Sequence, residues 1–244
     1  MNTATASPAP EIPRPDPEAA IQRPGLLSPW REMFTPIDWL RLARDWRTLP
    51  KGEATQPRSA VLVPGFGASA LSMKVIERAL RRRGHRAYEW GQGRNDGKVQ
   101  ELLPRVIDRC EQVARAHGGP IEVIGWSLGG YLAREAARDR PDLVRKVITL
   151  GSPVIGGPSY TTVARWYEAR GYDLSEIRQL VAERFEKPLD VPIIAVYSKR
   201  DGIVSWQACI DEWSPDVRHL EVSATHFSMG SSPDVLSIIL DELD

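Results

Sequence analysis

From Ser59 onward, short β-branched runs alternate with longer stretches of helical periodicity. Ala60–Val63, His85–Trp90, Ile121–Ile124, Lys146–Leu150, Pro192–Tyr197 and Arg218–Val222 read as strands, each bounded by turn-forming residues. Met73–Arg83, Val99–His117, Leu128–Arg138 and Asp234–Leu240 read as helices; Gly84 stops the first and Gly118-Gly119-Pro120 closes the second. Residues 157–188 are mostly helical in composition and weakly periodic. This alternation predicts βαβ units: an α/β fold with a mostly parallel sheet of about six strands and helices on both faces. Ligands of open sheets bind at the carboxyl ends of the strands. Chemistry is therefore expected in the loops 64–68, 91–97, 125–128, 151–158, 198–205 and 223–230.

Ahead of the alternation lies FTPIDWLRLARDWRTLP. Thr35 is placed to cap a helix with Pro36 at its first position. Trp39, Leu42, Ala43 and Trp46 then share one face, which is expected to dock on the flank of the domain. A helix bearing Trp and Arg over residues 36–48 also suits a membrane surface, the less favoured fate. Seven of the first 29 residues are proline, so residues 1–30 are expected to form a disordered or extended arm. The predicted organisation is that arm, an amphipathic helix within 31–50, and one domain over 51–244. No run of 18 apolar residues and no signal-peptide core is visible, which gives a cytoplasmic expectation.

Charge narrows the function classes. Thirty-two Lys and Arg balance thirty-two Asp and Glu, giving no reason to expect nucleic acid as a partner. Arg81-Arg82-Arg83 falls at a helix end, where cations are favourable. The two cysteines, Cys110 and Cys209, have neither redox nor zinc spacing. Oligomeric state is left open.

The candidate chemistry centres on VIGWSLGGYL. Gly125-Trp126-Ser127-Leu128-Gly129 fits G-x-S-x-G and stands between a predicted strand and a predicted helix, the context that gives the pattern meaning. Ser127 is either a nucleophile held on a tight turn or a helix cap between turn glycines. A serine nucleophile needs a base. Of four histidines, only His226 lies in a loop directly after a strand. The acid is expected between the two in chain order. Asp201, next to Gly202 and directly after PIIAVY, fits better than Asp173, Asp190, Asp211 or Glu212, although turn aspartates are common. An oxyanion requires backbone donors: Leu128 N–H, with Phe66 N–H from VPGFGAS or, alternatively, Gly67.

With these residues in view, GWSLGG resembles the nucleophile elbow of the α/β-hydrolase family, SKRDGIV its acid loop and ATHFSMG its histidine loop. TLGSPVIGG resembles a segment of bacterial lipases and esterases, and the likeness spans about residues 59 to 242. The resemblance implies an α/β-hydrolase fold in compact form and a serine hydrolase cleaving carboxylic esters through Ser127, His226 and Asp201. It implies no metal or organic cofactor and a small-molecule ester substrate. Thioesterase or amidase chemistry, or a non-catalytic binding protein on the same fold, are the alternatives. Residues 157–188 correspond to the small helical cap of such enzymes. Tyr160, Trp166, Tyr167 and Tyr172 are candidates to line an acyl pocket or, alternatively, to pack the cap onto the domain. Trp126, with Phe66, flanks the proposed chemistry and is a candidate substrate contact; Arg94-Asn95-Asp96 is a candidate polar contact or a loop-shaping segment. Where many lipases carry His-Gly in the oxyanion loop, this chain has Pro64-Gly65.

Overall fold

The computed structural model describes residues 21–187 and 189–244. Six strands, β1 (Ser59–Val63), β2 (Arg86–Glu89), β3 (Ile121–Trp126), β4 (Val144–Leu150), β5 (Ile193–Tyr197) and β6 (Val217–Glu221), form one sheet in the order β2-β1-β3-β4-β5-β6. Every pairing is parallel. The loops after all six strands therefore emerge on one edge.

Strand alternation divides the core into two layers. Ala60 and Leu62 of β1 face one side with α2 (Lys74–Arg83) and α7 (Pro233–Leu243). Val61 and Val63 face the other, with α3 (Val99–His117) and α4 (Leu128–Asp139). Helices cover both faces of the sheet, which is why β1 and β5 read as apolar runs; the edge strands β2 and β6 are partly exposed. The insertion between β4 and β5 contributes α5 (Ala164–Glu168) and α6 (Leu174–Arg184). It is tied to α4 by Arg184, which donates to Glu135 and Asp139.

The N-terminal segment departs from expectation. Residues 1–20 of the expected arm lie outside the described residues, but Ser28–Phe34 forms a 3₁₀ helix that runs into α1 (Thr35–Asp45). Thr35 does not cap the helix: it is the first helical residue, and its hydroxyl is engaged by the Thr225 hydroxyl at 2.7 Å. Leu42 and Trp46 pack against the core as expected, whereas Ala43 is exposed and Trp39 is 55% exposed. Before Leu42 the amphipathic rule is inverted. Polar Ser28, Glu32, Thr35 and Asp38 turn toward the domain, while Leu26, Leu27, Trp30, Met33, Ile37 and Leu40 turn outward. Among the described residues no helix is long and apolar enough to cross a membrane.

Candidate active site

The corner between β3 and α4 is built by close packing. A Cβ on Gly125 would come within 2.3 Å of the Gly129 carbonyl oxygen, and one on Gly129 within 2.2 Å of the Val63 carbonyl oxygen. Only glycine lets the helix start pass that close to β1 and β3. The turn throws Ser127 to φ 54° and ψ −124°, and it is the only non-glycine residue of positive φ among the described residues. Such a conformation costs on the order of 1–3 kcal/mol. The Ser127 hydroxyl makes no capping bond to α4, which removes the reading of Ser127 as a simple helix cap. The residue is half-buried and stands at the positive end of the α4 dipole.

Asp201 follows β5 and divides its carboxylate between two tasks. Oδ1 accepts the N–H groups of Ile203 (2.8 Å) and Val204 (2.7 Å), shaping the turn. Oδ2 faces His226 Nδ1 at 2.7 Å. An ionised carboxylate accepts only, so Nδ1 carries the ring proton and Nε2 keeps its lone pair. His226 opens a single 3₁₀ turn, His226–Ser228, after β6. Burial would depress its pKa, but the Asp201 carboxylate, by charge and hydrogen bond, and Glu32, by charge, outweigh it and hold the imidazole above its ordinary value. The other three histidines are otherwise engaged: His85 accepts from Arg58 N–H, His117 pairs with the Tyr88 hydroxyl, and His219 accepts from Asp211 N–H.

Trp126, beside Ser127, lies with its ring centroid 6.0 Å from that of His226, so the serine corner and the histidine turn are neighbours. No hydrogen bond joins the Ser127 hydroxyl to the imidazole among the described residues. The carboxylate–imidazole half of the constellation is closed and the hydroxyl half is open. Such contacts commonly tighten only with substrate bound.

The loop after β1 is held by the loop after β2. Asn95, wholly buried, donates from Nδ2 to the Pro64 carbonyl at 2.9 Å and accepts Gly97 N–H on Oδ1. Its backbone N–H donates to Ala68 O at 2.9 Å, and its carbonyl takes Gly67 N–H at 2.7 Å. Gly67 is thereby spent as an oxyanion donor. Among the described residues, Phe66 N–H carries no backbone bond, and Leu128 N–H, at the helix start, carries none outside α4. A Cβ on Gly65 would stand 3.1 Å from Ser127 Cβ, so this loop crosses directly over the serine.

Trp166 packs edge-on against Phe66 at 4.7 Å between centroids, with the Arg170 guanidinium 3.7 Å over its ring. Tyr160 is buried, and its carbonyl accepts Ser205 N–H behind the acid loop. The insertion thus brings Trp166 to the loop after β1 and Tyr160 to the loop after β5. Trp126 Nε1 is buried without a partner. Both cysteine thiols are buried, and burial pushes that of Cys110 up to about 12. No cluster of potential metal ligands is present among the described residues.

Sequence reasoning did not find Glu32, Thr35 or Asp38. They reach the acid and histidine loops from about 170 to 195 residues away in the chain, and no local motif announces them.

A fully parallel six-stranded sheet, with a G-x-S-x-G turn joining its β3 to α4, is the α/β-hydrolase architecture. The chain belongs to the alpha/beta hydrolase family, whose model matches residues 60–238. No curated protein sequence matches it. Among solved structures it is similar to the Bacillus licheniformis lipase BlEst2, with a TM-score of 0.60, 14% identity and coverage of 80% of this chain and 95% of that one. It is also similar to Bacillus subtilis carboxylesterase CesB (0.56, 12%, covering 86% and 98%) and to mouse alpha/beta hydrolase domain-containing protein 10 (0.56, 19%, covering 76% and 88%). At these identities the likeness is one of fold.

Proposed function

We propose that the protein hydrolyses carboxylic esters with Ser127 as nucleophile, His226 as general base and Asp201 as its orienting acid. The observation that carries this reading is the 2.7 Å Asp201–His226 bond beside the strained, non-capping Ser127. Ser127 Oγ attacks the ester carbonyl as His226 Nε2 takes its proton. Asp201 holds Nδ1–H and stabilises the imidazolium. The N–H groups of Phe66 and Leu128 receive the oxyanion. Collapse of the tetrahedral intermediate expels the alcohol, which receives the proton from His226. Water, deprotonated by the same imidazole, then releases the acid from the acyl-enzyme. Phe66, Trp126 and Trp166 form an apolar approach suited to an acyl chain. Residues 157–188 act as a small cap on the 51–244 domain.

Leu26, Leu27, Trp30, Met33, Ile37 and Leu40 are each 51% to 75% exposed, and large apolar side chains grouped on a surface mark interaction or membrane sites. Arg31 and Arg47 are exposed, Arg31 with one guanidinium nitrogen on the Lys199 carbonyl, whereas the acidic Glu32 and Asp38 are turned inward. Apolar side chains with outward cations suit an anionic lipid surface, so the proposed ester is one presented by lipid.

The experiment uses the full chain with p-nitrophenyl esters and a fluorophosphonate probe. Wild type is expected to turn over, the probe to label Ser127, and Ser127→Ala to lose on the order of 10⁶ in kcat. Equal rates in both proteins would refute the enzyme reading and favour a binding protein; a larger rate on thioesters or amides would move the substrate class. In a flotation arm the chain is expected to rise with phosphatidylglycerol vesicles and Trp30→Glu/Leu40→Glu to stay behind. If wild type also stays behind, the lipid-surface reading falls and the esterase reading stands.

A further inference from the structure

Two of the three loops around the candidate site are fastened by the N-terminal segment. Ser28 Oγ donates to the Gly202 carbonyl at 2.8 Å, and Arg31 Nη1 to the Lys199 carbonyl at 3.0 Å. Glu32 bridges the two loops. Its Oε1 accepts Gly202 N–H at 2.9 Å from the acid loop and His226 N–H at 3.0 Å from the histidine loop; its Oε2 accepts Phe227 N–H at 2.8 Å. One turn further on Thr35 meets Thr225, and a turn beyond that Asp38 accepts the Ser228 hydroxyl at 2.6 Å. The fit is close: a Cβ on Gly202 would lie 2.4 Å from the Ser28 carbonyl oxygen and 2.9 Å from Glu32 Oε1. Glycine at 202 admits the segment.

We infer that Glu32 is a positioning residue for His226: its carboxylate gathers peptide N–H groups from both loops, fixing the imidazole against Asp201 and adding negative charge beside the ring. This deepens the hydrolase reading and rests on it for its catalytic consequence, though not for the coupling itself. Three N–H donors on one carboxylate are charge-assisted bonds, stronger than neutral ones. The two loops leave different strands, so Oε1, shared between Gly202 and His226, sets their separation directly. A misplacement of about 1 Å at such a constellation costs up to about a hundredfold in rate.

The charged groups that face the imidazole among the described residues are few. Asp201 approaches from the acid loop and Glu32 from the N-terminal segment. Asp38 is occupied by the Ser228 hydroxyl and Arg41. Behind Asp201, the buried Cys209 thiol is held well above its ordinary value by burial and then by the Asp201 charge, so it stays neutral. Removing the Glu32 charge therefore lowers the His226 titration midpoint, because one of the two anions favouring imidazolium is gone.

The test compares wild type, Glu32→Gln and Glu32→Ala in the full chain. His226 is titrated by NMR, kcat and KM are measured on a soluble p-nitrophenyl ester, and Tm is recorded. Glu32→Gln keeps the shape and one acceptor oxygen, so it decides the matter even where Glu32→Ala fails to fold. The expected result is a lower His226 midpoint, a kcat reduced between about tenfold and a hundredfold, and KM within about twofold of wild type. An unmoved midpoint in folded Glu32→Gln overturns the inference whatever happens to Tm, since loss of a merely structural contact leaves the imidazole's proton affinity alone. If wild type hydrolyses no ester yet the midpoint falls, the hydrolase reading fails and the coupling of Glu32 to His226 stands.

Discussion

Replacing Asn95 by alanine tests whether the loop carrying Phe66 must be held for the chemistry to proceed. Asn95 is wholly buried, and its amide orientation is fixed by its partners: Nδ2 must face the Pro64 carbonyl and Oδ1 the Gly97 N–H. Truncation removes two hydrogen bonds at about 1 kcal/mol each and leaves a buried carbonyl unsatisfied, for a total of about 3 kcal/mol. In a domain of this size that lowers Tm by about 6–12 °C. Three ties between the two loops survive: Gly67 N–H to Asn95 O, Asn95 N–H to Ala68 O, and Arg94 Nε to Gly67 O at 2.6 Å. The Phe66 donor is thus displaced rather than lost. The expected fall in kcat is about tenfold to a hundredfold, short of the 10²–10³ typical of a deleted donor. Steady-state kinetics at 20 °C, where the variant remains folded, separate this from unfolding; KM is expected to change little because the oxyanion forms only in the transition state. Asn95→Asp is expected to be less stable still at pH 7, since it buries a carboxylate against the Pro64 carbonyl oxygen. A variant with the predicted Tm loss and an unaltered kcat would refute the role given to this loop.

Two further outcomes follow from charge. With the His226 imidazole held above its ordinary value of about 6.5, the neutral base is lost as pH falls through that raised value. The acid limb of kcat/KM is therefore expected to have its midpoint above pH 6.5, and a midpoint at or below 6 would contradict the Asp201 contact. The same shift stabilises the fold below about pH 6.5, a contribution lost as pH rises through the raised value. Elsewhere, Arg134 and Asp211 form an ion pair of 2.5 Å with side chains 1% and 0% exposed. Burial pushes the Asp211 carboxyl up, but Arg134, the Ser214 hydroxyl and Trp213 N–H hold it below its ordinary value. Asp211→Ala strands the guanidinium and is expected to cost about 3–5 kcal/mol at pH 7 by urea unfolding. In wild type the contribution of Asp211 is present above about pH 3.9 and fades as pH falls through the depressed value; a variant within 1 kcal/mol of wild type would dismiss the pair as a stabilising element.

The central strands were legible because β1 and β5 are short apolar runs buried nearly throughout, whereas the edge strands β2 and β6, RAYE and VRHLE, are partly exposed and give a weaker signal. Helix α3 was legible at both ends; Gly118, at φ 71°, supplies the left-handed cap its position suggested. That Asp201 and His226 meet was legible from their places after strands, because parallel strands put all such places on one edge. The N-terminal segment was not legible, for a definite reason. An amphipathic helix ordinarily turns its apolar face to the core. From Ser28 to Asp38 the inner face instead meets a ring of loop N–H and hydroxyl groups, and polar side chains satisfy these better than apolar ones would. Thr35 misled in the same way: a hydroxyl well suited to cap its own helix found Thr225 instead.

The placement of the three candidate residues explains why such a segment belongs here. Ser127 leaves β3, which has β1 on one side and β4 on the other, and its corner is locked by backbone packing against Gly125 and Gly129. The histidine loop leaves β6, an edge strand paired only with β5 and lacking any fully buried residue. A nucleophile on a rigid corner gains little from a base on a loosely held loop, because proton transfer depends on their mutual geometry. The missing sheet neighbour of β6 is replaced, at the level of the loop that follows it, by Glu32, Thr35 and Asp38. These take up the His226 and Phe227 N–H groups and the Thr225 and Ser228 hydroxyls. The outward apolar ridge is the geometric counterpart of that arrangement: a helix that spends its polar face on the loops has only its apolar face left to present.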